Sequence, residues 1–477
     1  MTMKWEGAVA AIALICTAGV ISAQEPPANE ISRRALERDA GEAVNWGMPI
    51  VSFEAMRRGY FALGAKYNDI LYLSKPADWK LQITTPNSSS LYVYFNYNLK
   101  DGPVVVELPA AVGAGLFGSI LDAWQMPLTD VGPEGADQGK GGKYLLLPPD
   151  YKGQTPAGDF AIRSATYNGY AAFRAIPKTR SNADTAKALA LVKQLRVYPL
   201  SQEANPPQQR YIDISGKLFD GIARMDESFY DVLAKMVNEE PVQTRDLAAM
   251  GQLRTIGVEK GKPFQPDAAT RGILKQTVAD GHDELMEENA RVVPYWPTAK
   301  WGTPAYMAIG AKTAFSFQTH HFLDIDGRGA LYYIACALPK KLGAASFYLS
   351  VAIDDQNQPF DGSKTYHLHV PANVPARQFW AVTVYDLETA GFIRESPKTE
   401  VNSYQKPQKN ADGSVEVYFG PKAPTGKETN WVYTAPGKRW FSIFRFYGPE
   451  PALRDKSWAL PDIEQGEQSI SAERKQH

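Results

Sequence analysis

Apolar positions along this chain fall into two rhythms. Between Leu81 and Leu108 they come as short β-type runs: Leu91-Tyr92-Val93-Tyr94-Phe95-Asn96-Tyr97 is aromatic and β-branched, and Val104-Val105-Val106-Glu107-Leu108 follows an Asp101-Gly102-Pro103 turn. Further strands are expected at Gly118–Trp124, Tyr144–Leu147 and Phe160–Arg174. Ahead of them, Glu30–Ala62 has helical spacing, with Ala35, Ala43, Trp46, Met48, Ile50 and Phe53 set among charges, and Pro49 is expected to break it. Ala186–Leu195 reads as a short helix with Asp184 as its N-cap.

Asn205-Pro206-Pro207-Gln208-Gln209 punctuates the chain, and from Ser215 to Asn289 the rhythm is mostly helical. Phe219, Ile222, Met225, Phe229, Val232, Leu233 and Met236 recur as a stripe of the kind that fills a core. After Tyr295 strands return to the end, with turns expected at Asp326-Gly327, Asp361-Gly362, Asp412-Gly413 and Pro436-Gly437. The expected class is α+β: two antiparallel β-rich domains, residues 24–200 and 301–477, joined by a helical connector over 201–300. A length of 477 residues suits two domains.

The first 23 residues read as a signal peptide. Ala8 to Ile21 is apolar apart from Cys16, Thr17 and Gly19, Ala23 is a small residue before a cut, and Gln24 begins a polar stretch. The run is short for a membrane span, and no later segment is long and apolar enough for one. A periplasmic or secreted protein without a stable span is therefore expected. Removing the leader takes Cys16 with it and leaves Cys336, so no internal disulfide is expected. Cys336 sits in the strand-like run Leu331–Leu338 and reads as an inert buried thiol. With 51 Lys and Arg against 52 Asp and Glu, broad electrostatic binding to nucleic acid is not expected.

Gly113-Ala114-Gly115-Leu116-Phe117-Gly118 matches G-x-G-x-x-G, but Ser119-Ile120-Leu121-Asp122-Ala123-Trp124 after it is strand-like. Pyrophosphate binding needs a helix N-terminus there, so the motif reads as a flexible turn and no nucleotide cofactor is expected. His367 and His369 alternate onto one strand face, where they form half of a divalent-metal site; His320 or His321, Asp324 and Asp326 are the candidates to complete it. Asp324-Ile325-Asp326-Gly327 and Asp354-Asp355-Gln356-Asn357 look like fragments of calcium loops and read better as hairpin turns. Phe379–Asp386 is a strand ending in an acid. Trp440–Tyr447 places Arg445 inside an apolar strand, where a bare charge is costly, and Asp386 is its candidate partner.

These stretches resemble the paired families domain of unknown function 1254 (N-terminal) and 1214 (C-terminal). The first rests on Thr84-Thr85-Pro86-Asn87, Leu91-Tyr92, Gly102–Pro109 and Gly142–Leu146; the second on Phe360–Ser363, Tyr366–His369, Phe379–Asp386, Asp412–Ser414, Asn430-Trp431 and Phe444–Tyr447. Related sequences often carry an acid where this chain has Ser89. The resemblance implies two β-rich domains and frequent export, leaves room for a homo-oligomer, and implies no single common reaction.

Two functions fit. One is an exported hydrolase or lyase acting on a small organic or carbohydrate-like substrate. Asn87, Trp124, Trp380 and Trp431 would bind it, Tyr385 and Asp386 would supply acid-base groups, Arg445 would orient an anion, and His367 with His369 could carry a divalent metal. The other is a non-catalytic periplasmic or envelope protein that binds such a ligand.

Overall fold

The computed structural model describes residues 28–156, 159–179, 181–343 and 346–466. The leader-like residues 1–23 and His477 lie outside the described residues. The class is α+β, and each β-rich half is a pair of packed sheets.

In the first half a six-stranded sheet runs in the order Tyr211–Asp213, Ile70–Tyr72, Leu91–Asn98, Asn168–Pro177, Ala114–Asp122, Pro127–Val131. A four-stranded sheet of Arg196–Pro199, Val104–Leu108, Gly142–Leu147 and Phe160–Arg163 covers one face. Period-two alternation sends Val93, Phe95, Leu116 and Phe173 from the first sheet against Val104, Val106 and Leu146 from the second. The second half repeats the plan. Its six-stranded sheet is Val293–Pro294, Gly302–Thr303, Ser346–Val351, Trp440–Pro449, Ala376–Asp386, Glu400–Asn402, covered by Trp431–Tyr433, Val415–Gly420, Tyr366–Val370 and Glu464–Gln465. Leu349, Val382, Phe444 and Phe446 meet Leu368, Val417 and Phe419 in its core. Pairing is antiparallel except at edges such as Ile70–Tyr211, Tyr144–Phe160 and Tyr418–Trp431.

A helical layer fills the space between the halves. Its centre is one helix, Ala28–Ala62, against which Ser228–Glu239, Leu247–Thr255, Ala268–Ala290 and Ile325–Ile334 pack. Pro49 lies inside that helix and does not break it. Residues on all its sides are buried, Val44, Trp46, Ile50, Val51 and Phe53 among them, and tertiary packing overrides the local penalty. Pro49 has no N–H to give the Asn45 carbonyl; Gly329 of the Ile325–Ile334 helix packs there, so closely that a Cβ would come within 2.7 Å of that oxygen.

Other expectations change. Leu331–Leu338 is the end of a helix and a loop, and Asp326-Gly327 lies in that helix rather than a turn. Asp324 is its N-cap, its carboxylate accepting the Gly327 N–H at 3.0 Å, which accounts for the spacing that looked like a calcium loop. Phe219 belongs to a two-residue strand and Ile222 and Met225 to a loop; the helix begins at Ser228. The short helix spans Asn182–Val192 and is capped by Ser181, with the Asp184 N–H as donor. The glycine motif is not a free turn, because Ala114–Asp122 is a strand. Gly118 sits at φ +156°, and a Cβ there would overlap the Ala172 carbonyl and press on Phe173 of the neighbouring strand.

Candidate functional site

The inner faces of the two sandwiches feed their cores, so their other faces are free to meet. They do so around a cavity of about 550 Å³ lined by both six-stranded sheets and the helical layer. Along Trp440–Pro449, Trp440, Phe444 and Phe446 point into the core, while Phe441, Ile443 and Arg445 line the cavity. Along Asn168–Pro177, Ala171 and Phe173 take the core and Arg174 takes the cavity. Exposed Pro133, Glu134, Lys341 and Leu342 also line it and mark its mouth. The far wall is apolar, built from Met56, Leu71, Leu81, Phe219, Leu331 and Ile334.

Two cations face this space. Arg445 is 2% exposed; its Nη1 donates to the Thr383 hydroxyl at 3.0 Å and its Nη2 to the Thr85 carbonyl at 3.2 Å. The guanidinium lies over Tyr348 at 5.1 Å and Tyr385 at 5.5 Å from the ring centroids. Arg174 is cross-strand neighbour to Tyr92 and Phe117 and lies 5.6 Å and 6.0 Å from their ring centroids. Among the described residues neither arginine pairs with a carboxylate, and the Nε of each is buried without a hydrogen-bond partner. Glu400 reaches Arg445 only through the shared Thr383 hydroxyl, which donates to its carboxylate at 3.2 Å. The contrast is a smaller hollow of about 360 Å³, where Arg57 is paired with Glu54 and, at 2.8 Å, with Glu239.

Tyr348 stands directly across from Arg445 in the strand register. Burial opposes its ionisation, but Arg174 and Arg445 outweigh burial and hold the Tyr348 phenol below the usual tyrosine value. Burial and the neighbouring Tyr348 drive Tyr447 the other way, well above it. Asn87 lines the cavity; its Oδ1 accepts the Ser89 N–H at 2.7 Å, which turns Nδ2 toward the Tyr447 hydroxyl, to which it donates. The Asn87 N–H donates to the Tyr92 hydroxyl at 3.0 Å.

Of the residues singled out from sequence, Asn87 and Arg445 therefore meet at one site, with Tyr385 beneath the guanidinium. Tyr385 is buried, its hydroxyl donates to the Pro86 carbonyl at 2.6 Å, and burial raises its pKa, so it supports Arg445. Asp386 is not the partner of Arg445. It faces the opposite side of its strand from Tyr385 and lies 3.5 Å from Lys438. Burial raises its pKa against the pull of that ammonium.

The three tryptophans lie away from the cavity lining. Trp124 packs edge-on against Trp46 at 4.7 Å, Trp380 stacks on Phe444 at 5.5 Å inside the second sandwich, and Trp431 donates its Nε1–H to the Gly420 carbonyl. His367 and His369 do share a strand, on the outer sheet of the second half. His369 is bonded to Glu416 at 2.6 Å and His367 lies 3.4 Å from Glu464. Among the described residues no group of three or more His, Cys, Asp or Glu side chains could hold a metal ion, so the partners suggested for the pair do not converge on it. Cys336 lines the cavity, and burial raises its thiol pKa.

Arg174, Tyr348 and Tyr447 escaped the sequence reading. The signal for Arg174 was the same as for Arg445, a cation inside an apolar strand, Tyr170-Ala171-Ala172-Phe173-Arg174-Ala175-Ile176. Nothing local marks Tyr348 among 24 tyrosines.

The fold and site define a two-sandwich α+β protein with an arginine-lined cavity between its halves. Residues 67–199 match the family described as Protein of unknown function (DUF1254) and residues 345–451 the one described as Protein of unknown function (DUF1214), so the chain belongs to the proteins that carry these two domains in this order. The crystal structure of the VPA0106 protein from Vibrio parahaemolyticus is similar in fold: TM-score 0.52 at 18% identity, covering 91% of this chain and 100% of that one. An uncharacterized protein from Burkholderia cenocepacia aligns over 92% of this chain and 95% of its own at 14% identity and TM-score 0.40. No curated protein matches the chain. Among the described residues no helix is long and apolar enough to cross a membrane.

Proposed function

We propose that the cavity between the halves captures a small organic carboxylate with an apolar body. One observation carries this reading: Arg174 and Arg445 both face the cavity and neither has a carboxylate partner among the described residues. Cations withdrawn from water need a counter-charge, and because the lining carboxylates Asp130 and Glu134 form no ion pair with either arginine, the cavity is suited to take that charge from a ligand. Two guanidiniums suit a carboxylate's two oxygens. The apolar wall from Met56 to Ile334 suits a hydrophobic remainder. The apolar leader-like residues 1–23 support a periplasmic or secreted setting for this capture.

The reading is tested by titrating the protein with 2-naphthylacetate, 2-naphthylethanol and 2-naphthyl phosphate and following ligand fluorescence. Saturable binding of the acetate, lost in Arg174→Met and Arg445→Met and absent with the alcohol, is the expected result. Equal affinity for the alcohol, or a preference for the phosphate, would overturn the assignment of ligand class.

A further inference from the structure

We propose that the ligand of this cavity is a medium-chain alkanoate of about ten carbons, its carboxylate on Arg174 and Arg445 near the mouth and its tail directed inward to the helical layer. The proposal rests on the carboxylate reading above and gives that carboxylate its body.

The strand registers carry it. Alternate residues of a strand share one face and stand ~7 Å apart. In the first half Arg174 lies beside Tyr92 and Phe117, and the next position on that face is Ala172, beside Tyr94 and Ser119. In the second half Arg445 lies beside Tyr348 and is followed on its face by Ile443 and then Phe441. Tyr94, Ile443 and Phe441 belong to the hydrophobic cluster of the helical layer, together with Met56 and Leu331, and Ala172 packs against it. All of these residues line the cavity. Both sheets therefore pass from a cationic level to an apolar one in the same direction, toward the helices. The mouth lies the other way: Pro133 and Glu134 continue the strand Pro127–Val131 past Gly118 toward Phe117.

Unspent polar atoms follow the same gradient. Among the described residues, the cavity-lining side-chain atoms buried without a hydrogen-bond partner are Thr84 Oγ1, Arg174 Nε and Arg445 Nε. Thr84 adjoins Thr85, whose carbonyl accepts from Arg445 at 3.2 Å. Deeper polar groups are spent on the protein itself. Asn289 donates to the Leu285 and Ala330 carbonyls at 2.8 Å and 3.0 Å and accepts the Tyr306 hydroxyl, and the Tyr94 hydroxyl accepts from Asn96 at 3.1 Å. A carboxylate therefore answers the arginine level, and a tail without polar atoms leaves nothing unpaired beyond it. The length follows from the strand. Arg445 to Phe441 is about 13 Å of backbone. An extended alkyl chain of ~1.5 Å bonds advances about 1.3 Å per carbon, so about ten carbons span that depth.

The test is isothermal titration calorimetry of the full chain with hexanoate, octanoate, decanoate and dodecanoate, with 1-octanol and 2-naphthylacetate alongside. We expect affinity to rise roughly three- to four-fold per methylene and to level off by dodecanoate, with 1-octanol at least about ten-fold weaker than octanoate. Ala172→Leu, which fills part of the apolar level, should bring the levelling-off to a shorter acid. Binding of 2-naphthylacetate without a rise along the series would overturn the alkanoate assignment and leave the carboxylate reading standing. No binding of any acid, or 1-octanol as tight as octanoate, would overturn the carboxylate reading itself. A levelling-off unmoved in a folded Ala172→Leu would overturn the placing of the tail; should that variant not fold, Ile443→Phe decides in the same way.

Discussion

Arg174 and Arg445 hold equivalent places in the two halves of the molecule. Each stands in the fourth strand of a six-stranded sheet, and both side chains face one cavity. The first is flanked by Tyr92 and Phe117, the second by Tyr348 and Ala381. Their aromatic neighbours soften the loss of water through cation–π contact but do not supply a negative charge.

A buried cation without a carboxylate partner costs stability. Arg174 has no ion pair to lose, so replacing it with an apolar side chain of similar length removes a desolvated charge. Arg174→Met should raise the free energy of unfolding by on the order of 1 kcal/mol while abolishing 2-naphthylacetate binding. Urea melts with parallel titrations check this, and a less stable variant would show that Arg174 is structural.

The tryptophans should behave in the opposite way. Trp380 is 7% exposed and stacks on Phe444 in the second sandwich. Trp380→Ala should lower stability by about 3–5 kcal/mol and leave the affinity of the folded protein unchanged. Asn87→Ala removes a residue that lines the cavity and orients Tyr447, and should weaken binding with less effect on the melt. Reversed effects in these two variants would return the aromatic side chains to the site.

How much of this was legible in the chain differs by scale. The two β-rich halves were visible because period-two runs such as Leu91–Tyr97 are local, and so was Arg445, because a charge inside an apolar strand stands out. Arg445's surroundings were not visible. Its paired strand neighbours Tyr348 and Ala381 are 97 and 64 residues away, and Arg174 comes from the other half of the molecule. Asp386 looked like its partner on charge alone, but alternation put it on the opposite strand face. Leu331–Leu338 misled because a buried helix end and a buried strand are equally apolar over so short a run. Pro49 misled because the helix around it is enclosed on all sides.

Metal removal should leave the site intact. His369 is committed to Glu416 and His367 lies beside Glu464, on a sheet whose other face packs into the second core. Dialysis against a chelator, and separately His369→Ala, should leave 2-naphthylacetate affinity unchanged. Loss of that affinity after chelation, restored by a divalent ion, would bring a metal back into the site.

A last expectation concerns pH and rests on Asp122, at the end of the strand Ala114–Asp122. Asp122 is 2% exposed, and one carboxylate oxygen accepts the Trp124 and Met126 N–H groups at 2.8 Å and 2.9 Å. Burial raises its pKa to about 6, against the pull of those N–H groups, Arg245 and Arg328. Because the folded state holds this proton more tightly than the unfolded chain, the contribution is fully present below the unfolded value of 3.8 and is lost as pH rises through about 6. A shift of that size corresponds to roughly 3 kcal/mol. Asp386 and Glu240 are also raised and share the sign, so the unaltered protein keeps a slope from them. Asp122→Asn keeps an oxygen for the two N–H groups and cannot titrate. Its stability should therefore fall less steeply than that of the unaltered protein between about pH 4 and pH 6 in urea melts at matched ionic strength. Parallel curves across that window would show that Asp122 stays ionised in the folded protein.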